Sequence, residues 1–229
     1  MRTMSTLIDH PPVTTTTPGS THRPGWAIAG WVAGLLTIPV FVVVTGGLMV
    51  STDDLVDNQL VLDELTGKAG WAWAFQTGSV AIALLVAVFG LGLRRRLSGH
   101  VAAGSLLPDL AAAGMLLVSA LMLVGGGIST EMFHSLLHAD EIDPDTVAAQ
   151  LAIFNTMAWV WAGAALTTAA TAIAGLRHGA VGKKLAIFSA VMTALIAFVQ
   201  LVPFQYMAVL PGMLFLIVAG IALQRDAAA

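Results

Sequence analysis

The chain has 229 residues, 57% of them hydrophobic and 10% charged, with a net charge of −3. Soluble domains carry about 25% charged residues, so these proportions and a mean hydropathy of +0.86 exclude an ordinary soluble fold. The chain contains no cysteine, which excludes disulfides, thiolate metal sites and cysteine nucleophiles.

Residues 1–25 are rich in Thr and Pro and have no apolar period, so they read as a disordered tail. The first apolar run starts only at Trp26 and reaches Val50. It is longer than a secretory h-region of about 7 to 15 residues, and reads as a membrane span rather than a cleaved leader. Pro39 is a candidate kink in this span, and Gly30 and Gly34 form a GxxxG pair that permits close helix approach.

Residues 51–70 are polar and acidic. Thr52 ahead of Asp53 and Asp54 suits a helix start, and Gly67 suits a stop, which predicts a short helix outside the hydrocarbon core. Five further spans follow, over about 71–93, 106–128, 149–176, 184–202 and 204–223. Pro108 fits the first turn of the third span, with Asp109 beside the positive end of its dipole. Asp143-Pro144-Asp145 reads as N-cap, N1 and N2 of a helix running to Gly175. About 32 residues make a helix of about 48 Å against a hydrocarbon core of about 30 Å, so its first turns are expected to protrude. Trp159 and Trp161 are the expected interface markers. Pro203 divides the apolar stretch Leu185–Leu223 into two spans, and Pro211 is a second candidate kink.

The predicted fold is therefore all-α, a six-transmembrane-helix bundle over residues 26–226 with acidic loops at 51–70 and 129–148. Arg2, Arg23, Arg94, Arg95, Arg96, Arg177, Lys183, Lys184 and Arg225 share one side, and only Lys68 falls on the other. That side is expected to be cytoplasmic, with both termini inside and the protein in the plasma membrane. Ten of the thirteen acids lie opposite, which makes the two outer loops an acidic surface.

The spans pair into three hairpins of shared orientation. The first contains Gly46-Gly47 and Ser51-Thr52-Asp53, then Phe75-Gln76-Thr77. The second contains Gly126-Gly127 and Ser129-Thr130-Glu131, then Phe154-Asn155-Thr156. The third offers Phe204-Gln205-Tyr206. This is the form a parallel internal repeat takes in membrane folds. It also makes Gln76, Asn155 and Gln205 a candidate polar layer beneath the outer surface. Amide hydrogen bonding between helices is the structural alternative.

Glu131, His134 and His138 follow E-x2-H-x3-H, which spans an arc of about 60° on one helix face at 100° per residue. Three nitrogen and oxygen donors so placed are candidate ligands for a divalent metal such as zinc, with Asp140 or water as a fourth. Solvated polar residues at a helix end are the plain alternative. The order is not the H-E-x2-H of zinc proteases, so it carries no signal for hydrolysis.

No histidine lies in mid-span, which argues against haem held between membrane helices. No charged residue occupies a span centre, which weakens proton-coupled transport. Serines in the spans have no neighbouring base, and no nucleotide-binding loop is visible. The basic residues flank spans, so nucleic-acid binding has no support. The expected function is a membrane protein without catalytic chemistry that acts through interactions, as an accessory or assembly subunit, with the bilayer and a protein partner or second copy as its contacts. The alternative is a small-solute or metal-ion protein that collects its ligand at the His134/His138 loop.

Overall fold

A computed structural model of the protein describes residues 25–51, 57–202 and 204–226. Over these residues the chain is all-α. Six helical segments are long and apolar enough to cross a bilayer: Gly25–Leu48, Ala69–Ser98, Leu107–Leu137, Pro144–His178, Lys183–Leu201 and Gln205–Asp226.

Helix α1 (Gly25–Val43) passes through Pro39 and then loosens into a π-helical turn, Val44–Leu48. Pro39 has no N–H to give the carbonyl four residues earlier, yet the helix does not end there. The short helix α2 (Asn58–Leu65) is capped by Asp57, whose carboxylate accepts from Gln59 N at 2.8 Å. Thr52, the expected start signal, lies outside the described residues. Gly67 ends the segment at φ 80°, which a side chain would resist.

Helix α3 (Ala69–Ser98) leads to α4 (Leu107–Leu137), which carries Pro108 in its first turn and continues well past residue 128. Helix α5 (Pro144–Asn155) starts where the sequence placed it, with Asp143 accepting from Asp145 N at 2.9 Å. Six residues, Thr156–Trp161, tighten into a 3₁₀ turn before α6 (Ala162–His178). The protruding helix expected from Asp143 onward is thus a rod of 35 residues with an irregular joint.

Helix α7 (Lys183–Leu201) ends in extended Val202. Pro203 lies outside the described residues. A 3₁₀ turn, Gln205–Ala208, then feeds α8 (Val209–Asp226). Pro211 falls in the first turn of α8, where its missing donor would have no partner in any case.

The six long segments close into a ring: α1 on α3, α3 on α4, α4 on α6, α6 on α7, and α8 back on α1. The α7–α8 contact is slender, and α7 is the least buried segment at 28%. Phe89 of α3 and Phe215 of α8 are both fully buried, with ring centroids 6.3 Å apart.

Close approach depends on small residues. A Cβ on Gly114 would strike the backbone and side chain of Thr167 and the carbonyl of Gly163, so α4 and α6 cross nearly backbone to backbone. The Gly30/Gly34 pair is divided between two neighbours: Gly30 faces the Phe89 ring of α3, and Gly34 faces Ile217 and Met213 of α8. In lipid, where apolar surface gains little from leaving its solvent, such contact is a principal source of helix association.

Candidate functional site

At one end of the ring, α2 lies across α5. The buried Val61, Leu62 and Leu65 of α2 and Val147, Leu151 and Phe154 of α5 belong to the apolar core there. Asn58 Nδ2 donates to Asp145 Oδ1 at 2.7 Å and ties the two loop regions together. Beside this bond is a cleft of about 310 Å³ lined by Asn58, Val61, Ala148, Leu151, Ala152 and Asn155. Trp71, Trp73, Trp159, Phe204 and Tyr206 are all exposed at this same end, where α3, α6 and α8 are entered. Trp161, the other expected interface marker, turns inward instead and covers Gly212 of α8.

Glu131 and His134 are exposed on the last turns of α4, and His138 is the residue that caps it. His138 Nδ1 lies 3.0 Å from the His134 carbonyl oxygen, and the His134 ring stands edge-on to Phe133 at 5.2 Å. One His138 nitrogen is thereby occupied with backbone. Among the described residues, no three His, Asp or Glu side chains stand together as a ready ligand set.

The three amides have different surroundings. Gln76 is half-buried on α3, where its Oε1 accepts from Thr77 Oγ1 at 3.5 Å. Asn155 is exposed and lines the α2–α5 cleft. Gln205 is half-buried in the 3₁₀ turn before α8. No hydrogen bond joins any two of them. Their phenylalanine neighbours do meet: Phe75 and Phe154 are both buried and in contact, whereas Phe204 is exposed.

Three polar features escaped the sequence reading. Gln200, on the last turn of α7, has both amide atoms buried without a hydrogen-bond partner. It differs from the other amides in not following a Phe, so a search for that dipeptide passes over it. The second feature is a hydroxyl seam. Thr167 Oγ1 donates to the Ala111 carbonyl at 2.8 Å, and Thr193 Oγ1 reaches Thr168 Oγ1 at 2.8 Å, so the seam links α4, α6 and α7. The run Leu166-Thr167-Thr168-Ala169-Ala170-Thr171 was its visible signal. The third is Ser129, whose Oγ donates to the Ala72 carbonyl at 2.8 Å, so the Ser-Thr-Glu motif staples α4 to the first turn of α3.

The opposite end gathers Arg94, Arg95, Arg96, Arg177, Lys183, Lys184 and Arg225. Arg94 Nε pairs with Asp109 Oδ1 at 2.6 Å, so Asp109 has a partner that the sequence alone did not reveal. Arg96 Nε donates to the Ala180 carbonyl at 3.3 Å, which draws the end of α3 onto the α6–α7 turn. A second cleft, of about 230 Å³, lies beside Arg94, Ser98, Ser105 and Asp109.

Comparison with protein-family models, with curated proteins and with solved structures returned no match for this chain.

Proposed function

We propose that this chain is a multi-pass plasma-membrane protein that acts through contacts with other proteins in the bilayer, as an accessory or assembly subunit. The observation that carries this reading is the close packing of apolar side chains between the spans. Phe89 and Phe215 meet there, and the clefts beside Asn155 and Arg94 lie at opposite ends of the molecule. Buried polar side chains along the spans are largely uncharged hydroxyls bonded to carbonyls, within one helix at Thr37, Thr171 and Ser189 and between helices at Ser129 and Thr167. Both features favour a packed interaction module over a conduit.

The basic end is cytoplasmic and both termini are inside, an assignment supported by the clustering of cations at one end and exposed aromatics at the other. The three hairpins derive from a repeated plan. In the first, Gly47 lies against Trp71; in the second, Gly125 lies against Met157. Each pair joins the glycine-rich end of one span to the beginning of the next.

Reconstitution of the purified chain into sealed vesicles tests this function. Permeability to small ions and polar solutes is expected to equal that of protein-free vesicles, and crosslinking in native membranes is expected to give a discrete adduct of fixed stoichiometry. A solute- or metal-dependent flux would overturn the reading in favour of solute or metal handling through the His134/His138 region.

A further inference from the structure

We infer that the α6–α7 turn, together with the end of α3, is a headgroup site for an anionic phospholipid. The inference rests on the reading of this chain as a membrane protein, and commits to a lipid phosphate as the occupant.

The turn is built as a fixed scaffold. Gly179 stands at φ 65° after α6, its N–H donating to the Gly175 carbonyl at 3.1 Å, while Ala180 N donates to the Ala174 carbonyl at 3.2 Å. The left-handed glycine and its bond to Gly175 are an αL cap, which ends a helix sharply. Ala180 and Val181 then tuck into the core, at 0% and 3% exposure, and a Cβ on Gly175 would strike Ala186 and Val181. A turn seated this tightly has little freedom to move the charges on it.

Those charges are concentrated and lack acidic partners. Arg177 is in the last turn of α6, and Lys183 and Lys184 open α7; all three are exposed. Arg96 is held against the same turn by its bond to Ala180 O, and exposed Arg95 precedes it. Among the described residues the acids at this end are Asp109, which Arg94 engages, and Asp226 beside Arg225. Four cations therefore stand on or are bonded to one turn, with Arg95 next in the chain, and among the described residues none of the five is in an ion pair.

Two of the five stand where a helix least favours them. Lysine at the start of a helix opposes the positive end of the dipole, and here the capping position is Gly182, which offers no side-chain acceptor. A negative ligand relieves both problems at once. The charges lie at the end of the spans, level with the headgroups of the surrounding leaflet. Basic pockets between membrane helices on the cytoplasmic side select anionic headgroups for this reason.

The test uses the full chain, purified in detergent, with phosphatidylglycerol, phosphatidylcholine and inorganic phosphate as probes. Native mass spectrometry is expected to show phosphatidylglycerol retained in preference to phosphatidylcholine, with a rise in melting temperature on adding the former. Neutralising Arg177→Gln, Lys183→Gln and Lys184→Gln is expected to lower the preference by roughly fivefold for each charge removed. Lys183→Arg should preserve it, and Lys68→Gln at the far end should leave it unchanged.

No preference in the wild type, or a preference that the three neutral variants keep, overturns the lipid site. Equal protection by inorganic phosphate overturns it too, since the ligand would then be a soluble anion. Alkaline extraction of native membranes separates the two levels of inference. A chain that stays in the membrane yet shows no preference defeats the lipid site alone; a chain that is extracted defeats both.

Discussion

The rings of Phe75 and Phe154 meet edge to face, with centroids 4.8 Å apart and planes inclined at 74°. The contact joins the first turns of α3 to the last turn of α5, so it locks the outer α2–α5 layer to the bundle. Phe154→Ala is expected to cost about 3 kcal/mol in a reversible unfolding assay, through lost contacts and the cavity left behind. A double-mutant cycle with Phe75→Ala should return a coupling of about 1 kcal/mol, as for other aromatic pairs. Additive effects would mean the two rings are not in contact in the folded protein.

Helix crossing at Gly114 admits no side chain. Gly114→Leu forces the new atoms against Thr167 and the Gly163 carbonyl, which belong to backbone-close parts of α6. A destabilisation of about 3 kcal/mol is expected, the upper range for overfilling a packed site. Gly127→Leu, about three turns from the end of α4 on an open face with nothing within 4 Å of the added Cβ, is the matched control. Its melting temperature should stay the same or rise, because leucine is the better helix former. Similar losses in both variants would contradict the close α4–α6 crossing.

These two sites also mark how far the sequence could be read. The six long apolar helices were legible, because runs of 18 or more apolar residues with few charges are the mark of a helix long enough to cross a bilayer. The Asp143-Pro144-Asp145 start was legible because capping is local chemistry. Partner choice was not. GxxxG at Gly30 and Gly34 announces close approach without saying that the two glycines serve different helices. The Phe-amide pattern drew attention to Gln76, Asn155 and Gln205, whereas the contact lies between the first two phenylalanines. A side chain's neighbours across a bundle depend on helix rotation, and an apolar face all round leaves that rotation unmarked. Gln200 and the Arg94–Asp109 pair were missed for the same reason: each is defined by what stands on another turn or another helix.

The bond from Asn58 to Asp145 predicts a local rather than a global effect. Both residues are exposed, and an exposed polar contact contributes little to overall stability. Asn58→Ala should leave the melting temperature nearly unchanged while amide hydrogens of α2 exchange faster. Local opening of this kind is what hydrogen exchange detects. Unchanged exchange in Asn58–Leu65 would show that the apolar contacts of Val61, Leu62 and Leu65 alone hold α2 in place.

Zinc binding gives a direct test of the histidines at the end of α4. If Glu131, His134 and His138 take a metal, the His138 ring must leave the His134 carbonyl or ligate through its other nitrogen. Zinc titration of the purified chain should then lose its tightest phase in a His134→Ala, His138→Ala double variant, with folding checked by circular dichroism. Binding unaffected by the two changes would remove the metal proposal and leave these residues as a solvated helix end.

The chain's lack of cysteine makes its orientation unusually simple to measure. A single Glu141→Cys places a thiol on the exposed connection between α4 and α5, and His100→Cys places one on the exposed connection between α3 and α4. Those connections lie at opposite ends of the ring. With a maleimide that cannot cross membranes, applied to intact cells, Glu141→Cys is expected to react and His100→Cys to react only after lysis. The expectation follows from the cations near residue 100 and the bias that holds such charges in the cytoplasm. The reverse pattern would invert the topology and place the α6–α7 turn in the outer leaflet. Labelling of both in intact cells would mean that the chain does not form a sealed span between them.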